Sequence, residues 1–140
     1  MKILIASLLA LSTAAALAQT APVQPKDGAV VMPSGLRFIS LREGTGGKPS
    51  ATDTVRVNYR GTLASGTEFD SSYKRGEPAQ FPLNRVIPCW TEGVQMMRVG
   101  GRAHLVCPPQ IAYGEKGAGG IIPPNATLDF DIELLGILNR

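Results

Sequence analysis

The stretch LDFDIEL, residues 128–134, shows most clearly how this chain folds. Apolar and acidic residues alternate along it with a period of two. One side of the segment carries four apolar residues, Leu128, Phe130, Ile132 and Leu134. Because successive side chains of a β-strand point to opposite faces, the pattern predicts a strand with one buried face and one face in water. Such a strand needs neighbouring strands and a core on its apolar side.

Shorter segments upstream supply the neighbouring strands. Residues 55–60 alternate in the same way, and residues 103–107 place Ala103, Leu105 and Cys107 on one side. Residues 63–69 read LASGTEF, which is typical of a hairpin whose Ser-Gly supplies the positive φ that the turn needs. From residue 32 onward, clusters of Gly, Pro, Ser and Asp separate short segments of this kind, as in a β-rich domain.

One short helix is predicted over residues 89–97. Its apolar residues Trp90, Val94 and Met97 are spaced i, i+4 and i+7, and the Val-Gly-Gly that follows ends it. Gly93 within it costs about 1 kcal/mol relative to alanine but permits close approach of a neighbouring backbone. A single short helix on a mostly antiparallel sheet predicts an α+β fold.

Length and composition indicate one folded domain. A chain of 140 residues is usually one unit, and 44% hydrophobic with 18% charged residues is far from the composition of disordered chains. The net charge of +3 is too small to indicate nucleic-acid binding.

The N-terminal segment has the three parts of a secretory signal peptide, predicted at residues 1–18. A single Lys is followed by an apolar run at residues 3–11 and an Ala-Leu-Ala cleavage site at residues 16–18. The alternative is a membrane anchor, which needs about 20 apolar residues, and polar residues interrupt the run too early. We therefore expect no membrane anchor and a periplasmic or secreted protein. Residues 19–30 are predicted to form a flexible tether, and residues 31–140 the folded domain.

The chain contains two cysteines, Cys89 and Cys107. In an exported protein an even pair is a disulfide candidate. Two separate buried thiols are the alternative, because free cysteine behaves as a small apolar core residue.

The sequence contains no pattern typical of a hydrolase active site or of a metal site. The one histidine, His104, lies in a predicted strand and faces opposite to Leu105 and Cys107, where we expect it to face solvent. Two cysteines and one histidine do not fall at zinc-binding spacing. The run GEKGAGG at residues 114–120 lacks the Gly-Lys-Ser/Thr of a phosphate loop and is interpreted as a mobile flap. No metal and no cofactor are expected.

Six short blocks occur in order along the chain: VNYRG at 57–61, FDSS at 69–72, VIPCW at 86–90, GGRA at 100–103, AYG at 112–114 and IIPPNATL at 121–128. In order and approximate spacing these blocks resemble the FKBP family of peptidyl-prolyl cis/trans isomerases. A single Tyr-Gly or Phe-Asp pair would carry no weight, whereas ordered blocks across residues 32–140 are specific.

The resemblance implies a strongly bent antiparallel sheet wrapped around one short α-helix, with an apolar pocket between them. The residues that it assigns to catalysis are Tyr59, Phe69, Asp70, Ile87, Trp90, Tyr113 and Phe130. Those that it assigns to substrate binding are Phe81, Val86, Ile121 and Ile122. Trp90 is expected as the floor under the proline ring, and Asp70, Tyr113 and the Ile87 N–H as the polar rim. The two isoleucines would close the flap side.

The resemblance also implies a function: isomerisation of Xaa-Pro bonds in unfolded or partly folded polypeptides, inhibited by macrolides of the tacrolimus and rapamycin type. A binding module that uses the same pocket to hold chains is the alternative. Ala79 stands where many members of the family carry a further aromatic residue, and Ala118 where some carry a histidine, so we expect weaker or less selective ligand binding. The long helical extension with which some exported relatives dimerise is missing, so a monomer is expected.

Overall fold

The computed structural model describes residues 28–139. The predicted signal peptide and most of the predicted tether lie outside the described residues. The fold begins slightly before the expected end of the tether, because Ala29 is buried and Val30 already belongs to the first strand. Within residues 28–139, no helix is long and apolar enough to cross a membrane.

A seven-stranded sheet is the main element of residues 28–139. Its strands are β1 (Val30–Val31), β2 (Arg37–Arg42), β3 (Thr54–Leu63), β4 (Glu68–Ser71), β5 (Ala79–Pro82), β6 (Arg102–Cys107) and β7 (Leu128–Ile137). The order across the sheet is β1-β2-β6-β7-β3-β4, and β5 also pairs with β3. Every pairing is antiparallel, as predicted.

The LDFDIEL stretch lies at the centre of this sheet, in β7. All four of its predicted inward residues are buried, at 0 to 5% exposure. β7 is longer than the alternating pattern, because it continues past a register shift against β3 to Ile137. The predicted hairpin joins β3 to β4, and Gly66 in its turn has φ +93°. The period-two patterns therefore located the central strands and the face that each one buries.

In the described part of the chain two α-helices accompany the sheet: α1 (Ser72–Arg75), a single turn, and α2 (Pro88–Val94). The predicted helix is α2, but it ends three residues earlier than expected, and Met97 is buried beyond its end. The expectation that Gly93 permits close approach of a neighbouring backbone was wrong. A Cβ at Gly93 would collide with the side chain of Leu105, so the close neighbour is a side chain and not a backbone.

The core fills the space between α2 and the concave face of the sheet. Cys89 in the first turn of α2 is joined by a disulfide to Cys107 at the end of β6, with the Cα atoms 5.7 Å apart. On the other side of α2, the Thr91 hydroxyl donates a hydrogen bond to the Leu83 carbonyl oxygen at 2.5 Å. The helix is thus attached to the sheet on one side and to the connection after β5 on the other. The α+β prediction is confirmed.

Candidate active site

A cavity of about 530 Å³ opens between α2 and the strands beside it. Its lining residues are Tyr59, Phe69, Asp70, Phe81, Arg85, Val86, Ile87, Trp90, Ala112, Tyr113 and Phe130. Cavities of this size are typical of small-ligand sites, in which apolar walls surround a few polar groups. All the predicted site residues lie here except Ile121 and Ile122.

Aromatic rings form the floor and walls of the cavity. The centroid of the buried Trp90 ring lies 5.1 Å from Tyr59, 5.4 Å from Phe81 and 5.4 Å from Phe130, always edge to face. Phe69 packs on Phe130 in the same manner at 5.6 Å. Edge-to-face packing adds to the stability gained from burial and holds each ring at a defined angle. The Trp90 indole nitrogen is buried and has no hydrogen-bond partner within residues 28–139.

Gly61 permits this packing. It lies in β3 opposite Phe130, and a Cβ built on it would come within 2.6 Å of the Phe69 ring and 2.9 Å of the Phe130 ring. Both distances are shorter than atoms in proteins tolerate. A glycine within a strand pattern often marks close approach of another group, which is the only signal of this role in the sequence.

A polar network occupies one side of the cavity mouth. The Tyr59 hydroxyl donates to Asp70 Oδ2 at 2.5 Å, and Arg75 donates to Asp70 Oδ1 at 2.7 Å and to the Tyr59 hydroxyl oxygen at 2.9 Å. The Ser71 N–H also donates to Asp70, at 2.9 Å. Tyr59 and Arg75 therefore have two partners each and Asp70 has three, which holds the Asp70 carboxylate in one orientation.

The single turn of α1 brings Arg75 to this network. The Ser71 side chain accepts a hydrogen bond from the Lys74 N–H at the start of α1, and Gly76 ends the turn with φ 78°. Serine before a helix and a left-handed glycine after it are favoured capping residues. Arg75 was not predicted from the sequence, because chain position alone does not show that a capped turn folds its side chain back over Tyr59.

The network shifts the pKa of each member. Burial, followed by the hydrogen bond to Asp70, raises the pKa of Tyr59 above its ordinary value. Burial acts to raise the pKa of Asp70, but the hydrogen bonds from Tyr59 and Arg75 outweigh it and the pKa is lowered. Hydrogen bonds to Tyr59 and then Asp70 raise the pKa of Arg75. At neutral pH the network therefore consists of a neutral phenol, a carboxylate and a guanidinium.

Two further donors at the cavity are available to a ligand. Ile87 precedes α2, and within residues 28–139 its N–H makes no hydrogen bond, although its carbonyl oxygen accepts from the Trp90 N–H at 2.9 Å. The Tyr113 hydroxyl has no partner in the same part of the chain, and this residue is 42% exposed. Arg85 and Ala112 also line the cavity but were not predicted, since neither belongs to an aromatic or apolar pattern.

The flap is more ordered than its composition suggested. Ala118 and Ile122 form an isolated bridge with hydrogen bonds in both directions, and the Asn125 N–H donates to the Gly114 carbonyl oxygen at 2.9 Å. Ile122 is buried in the core, whereas Ile121 is 62% exposed. Neither isoleucine lines the cavity in this conformation, so the expectation that they close it is not met here. Ile122 instead anchors the flap.

His104 lies on the convex face of the sheet, away from the cavity. Its Nδ1 is 2.9 Å from an Asp131 oxygen and its Nε2 is 3.1 Å from an Asp129 oxygen. The histidine is thus partnered by carboxylates and only half exposed, rather than facing solvent freely as expected. Across residues 28–139, no group of three or more His, Cys, Asp or Glu side chains is arranged so that it could hold a metal ion.

Comparison with known proteins decides which family this site represents. The profile of a family described as FKBP-type peptidyl-prolyl cis-trans isomerase matches residues 46–135, which include all the cavity-lining residues. The chain belongs to the FKBP family. The resemblance read from the sequence is thereby confirmed.

Relatives from bacteria are similar over most of the FKBP chain. The FKBP-type peptidyl-prolyl cis-trans isomerase FkpA of Aeromonas hydrophila is 58% identical over 112 residues, or 80% of this chain and 41% of the relative. The FKBP-type 22 kDa isomerase of Escherichia coli is 52% identical over 81% of this chain and 55% of the relative. The chain thus spans about half the length of these relatives.

Solved structures agree with the fold. The crystal structure of FkpA from Escherichia coli superposes with a TM-score of 0.78 at 49% identity, covering 80% of this chain and 52% of that one. A peptidyl-prolyl cis-trans isomerase from Pseudomonas syringae gives a TM-score of 0.75 at 40% identity, covering 80% and 82%.

Proposed function

We propose that this protein is a peptidyl-prolyl cis/trans isomerase that accelerates Xaa-Pro isomerisation during the folding of exported proteins. The observation that carries the proposal is the cavity, in which an apolar aromatic floor adjoins a polar rim with unpaired donors. Membership of the FKBP family supports it.

The reaction needs no nucleophile, acid or metal. It twists an amide whose partial double bond gives a barrier of about 18 to 20 kcal/mol. Water favours the planar amide, because planarity places negative charge on the amide oxygen. An apolar cavity that excludes water weakens that preference and favours the twisted state. Trp90 would lie beneath the proline ring, with Tyr59, Phe69, Phe81 and Phe130 around it.

The polar groups position the substrate. The Ile87 N–H or the Tyr113 hydroxyl would donate to one substrate carbonyl and hold it still while the prolyl side rotates. Asp70 would act from the rim, held by Tyr59 and Arg75 in one orientation. Val86 completes the wall, and Ile121 and Ile122 would approach bound substrate only if the flap moves. Because unaided isomerisation takes tens to hundreds of seconds, lowering the barrier by a few kcal/mol makes it fast on a folding timescale.

The cellular setting is part of the proposal. Residues 1–18 would act as a cleaved signal peptide, residues 19–30 as a short tether and residues 31–140 as the isomerase domain, which would work as a monomer in the periplasm or outside the cell. The Cys89–Cys107 disulfide is consistent with an oxidising compartment. Proline-containing chains would be the substrates, and tacrolimus-type macrolides the inhibitors.

The test of the folding role is a refolding assay. The substrate is a denatured single-domain protein whose slow refolding phase is limited by proline isomerisation. We expect amounts of this protein far below stoichiometric to accelerate the slow phase in proportion to their concentration. A slow phase that stays unchanged would refute the folding role.

A binding module remains the second candidate, and Ala79 and Ala118 are the features that favour it. Neither residue lines the cavity in this conformation, so the weaker ligand binding expected from them stays a prediction. In the same refolding assay a holding module would slow refolding and act only at stoichiometric amounts.

A further inference from the structure

A second concave surface lies beside the cavity. This groove, of about 610 Å³, is lined by Ser34, Asn84, Val86, Pro88, Thr91, Glu92, Gln95 and Ile111. It follows the outward side of α2, with the turn before β2 on one edge and the 3₁₀ turn Pro109–Ile111 on the other.

The groove adjoins the cavity. Val86 lines both surfaces, and two pairs of consecutive residues are divided between the cavity and the groove. Ile87 faces the cavity and Pro88 the groove, while Ala112 faces the cavity and Ile111 the groove. Only a ridge one residue wide separates the two surfaces. Since an extended chain advances about 3.3 Å per residue, a polypeptide that leaves the cavity over Val86 enters the groove within two or three residues.

The groove has an apolar floor and one charge. Val86, Pro88 and Ile111 supply apolar surface, and the other lining residues except Glu92 are neutral and polar. Glu92 is half-buried, and its Oε1 accepts a hydrogen bond from the Ser34 hydroxyl at 2.5 Å. Within residues 28–139, no cation pairs with Glu92.

The Ser34 hydrogen bond matters because it fixes the carboxylate. Ser34 comes from the turn after β1 and is separated from Glu92 by 58 positions in the chain, so the contact closes one edge of the groove. With Oε1 engaged, Oε2 remains able to accept from a ligand. A held carboxylate loses less side-chain entropy on binding a cation than a freely moving one does.

We propose that this groove is a second subsite for the substrate polypeptide, and that it prefers a lysine or arginine two or three residues from the proline, opposite Glu92. The inference rests on the proposed function, because it assumes that the cavity holds the proline. It adds a substrate preference that the aromatic cavity cannot provide, since that cavity recognises only the Xaa-Pro unit.

The experiment uses peptides that share a Leu-Pro core. One pair carries arginine or glutamine three residues after the proline, and a second pair carries the same choice three residues before it. Both kcat/KM for isomerisation and binding are measured, binding through the fluorescence of Trp90, the single tryptophan of the chain. We expect the arginine peptide of one pair to be favoured about two- to fivefold, the range that a partly exposed ion pair gives.

Three variants assign the preference to Glu92. Glu92→Gln should abolish it while leaving the rate for a short Leu-Pro peptide unchanged, and Glu92→Lys should reverse it toward a peptide with aspartate. Glu77→Gln is the matched control, because it removes the same charge from an exposed residue outside the groove and should keep the preference.

The outcomes separate this inference from the proposed function. Equal kcat/KM and equal binding for the arginine and glutamine peptides would contradict the groove subsite but not the isomerase activity. The same conclusion would follow if Glu77→Gln removed the preference as fully as Glu92→Gln. Binding that favours arginine through Glu92 without any acceleration would support the groove and overturn the isomerase. A preference lost in about 1 M salt also supports an ionic origin, because screening is then strong.

Discussion

The polar groups on the two faces of the central strands differ in their expected effect on stability and catalysis. On the concave side, β3 and β7 present Tyr59 and Phe130 to the cavity, where the polar groups form a three-membered network. On the convex side β7 presents charged residues that pair across the surface, as Glu133 does with Arg42 of β2 at 2.8 Å. The same alternation thus builds a site on one face and a solvated surface on the other.

The difference lies in what surrounds each charge. Arg42 is half exposed, so water competes with Glu133 for it, and surface pairs of this kind contribute about 0 to 1 kcal/mol. The Tyr59 hydroxyl and Asp70 contact each other at the edge of an aromatic cavity, where their orientation shapes the site. Substitutions on the concave side should therefore change stability or catalysis, and those on the convex side should change little.

Removal of the disulfide should have the largest effect. In the double variant Cys89→Ala/Cys107→Ala the unfolded chain regains the freedom of a loop closed across 18 positions, and we expect the free energy of unfolding to fall by about 3 kcal/mol. Urea titration of both proteins measures the change. If the free energy of unfolding fell by less than about 1 kcal/mol, the packing of α2 would be sufficient to hold the helix on the sheet without the disulfide.

Loss of the Phe69 ring should have the next largest effect. Phe69→Ala opens the cavity to water beside Phe130, and we expect kcat/KM for a Leu-Pro peptide to fall roughly tenfold or more, with the chain still folded. Tyr73→Ala is the control, because Tyr73 is an exposed aromatic residue outside the cavity. Equal rates for the two variants would contradict the assignment of the cavity.

Loss of the Asp70 carboxylate should also lower the isomerisation rate. The pKa of Asp70 determines how the rate depends on pH on the acid side. Asp70→Ala should lower the rate roughly tenfold, because the polar rim loses its centre. In the wild type the pKa of Asp70 is lowered, so its contribution is complete above its ordinary value of 3.8 and is lost as pH falls through the lower, folded value. The raised pKa of Tyr59 keeps the phenol protonated on the alkaline side.

The pH profile of kcat/KM for an uncharged peptide tests this. Between about pH 4.5 and 9 we expect the rate to change by less than about twofold. A loss of activity centred between about pH 5 and 6 would mean that Asp70 is not stabilised as the carboxylate.

The smallest effect should come from the convex face. Glu133→Gln removes the partner of Arg42, and we expect the free energy of unfolding to change by less than about 1 kcal/mol and the isomerisation rate to stay the same. Thermal unfolding and the peptide assay measure both. If the isomerisation rate of Glu133→Gln fell as far as that of Asp70→Ala, the two faces of the sheet would not differ in their importance for catalysis.

Much of the fold was predictable because the central strands obey a period of two. The alternation in residues 128–134 located β7, its buried face and its charged face. β5 was not predicted, because its alternation covers only four residues, and the strand is defined by its pairing with β3. The end of α2 was missed because Met97 continues the helical spacing although the backbone has already left the helix.

For the site, the aromatic residues came from ordered blocks of family resemblance and not from the pattern alone. Any one ring would have been read as ordinary core packing. Arg75 could not be found, because its contact with Tyr59 depends on the geometry of a single capped turn. The positions of Ile121 and Ile122 depend on how the flap pairs with itself, which glycine-rich sequence does not specify.

The most direct test of the account is proline isomerisation of a Leu-Pro peptide by the purified, folded protein, with and without tacrolimus. The account predicts acceleration that the drug abolishes, because both ligands would occupy the cavity over Trp90. A folded protein that gives no acceleration would contradict the claim that this aromatic cavity is a catalytic site.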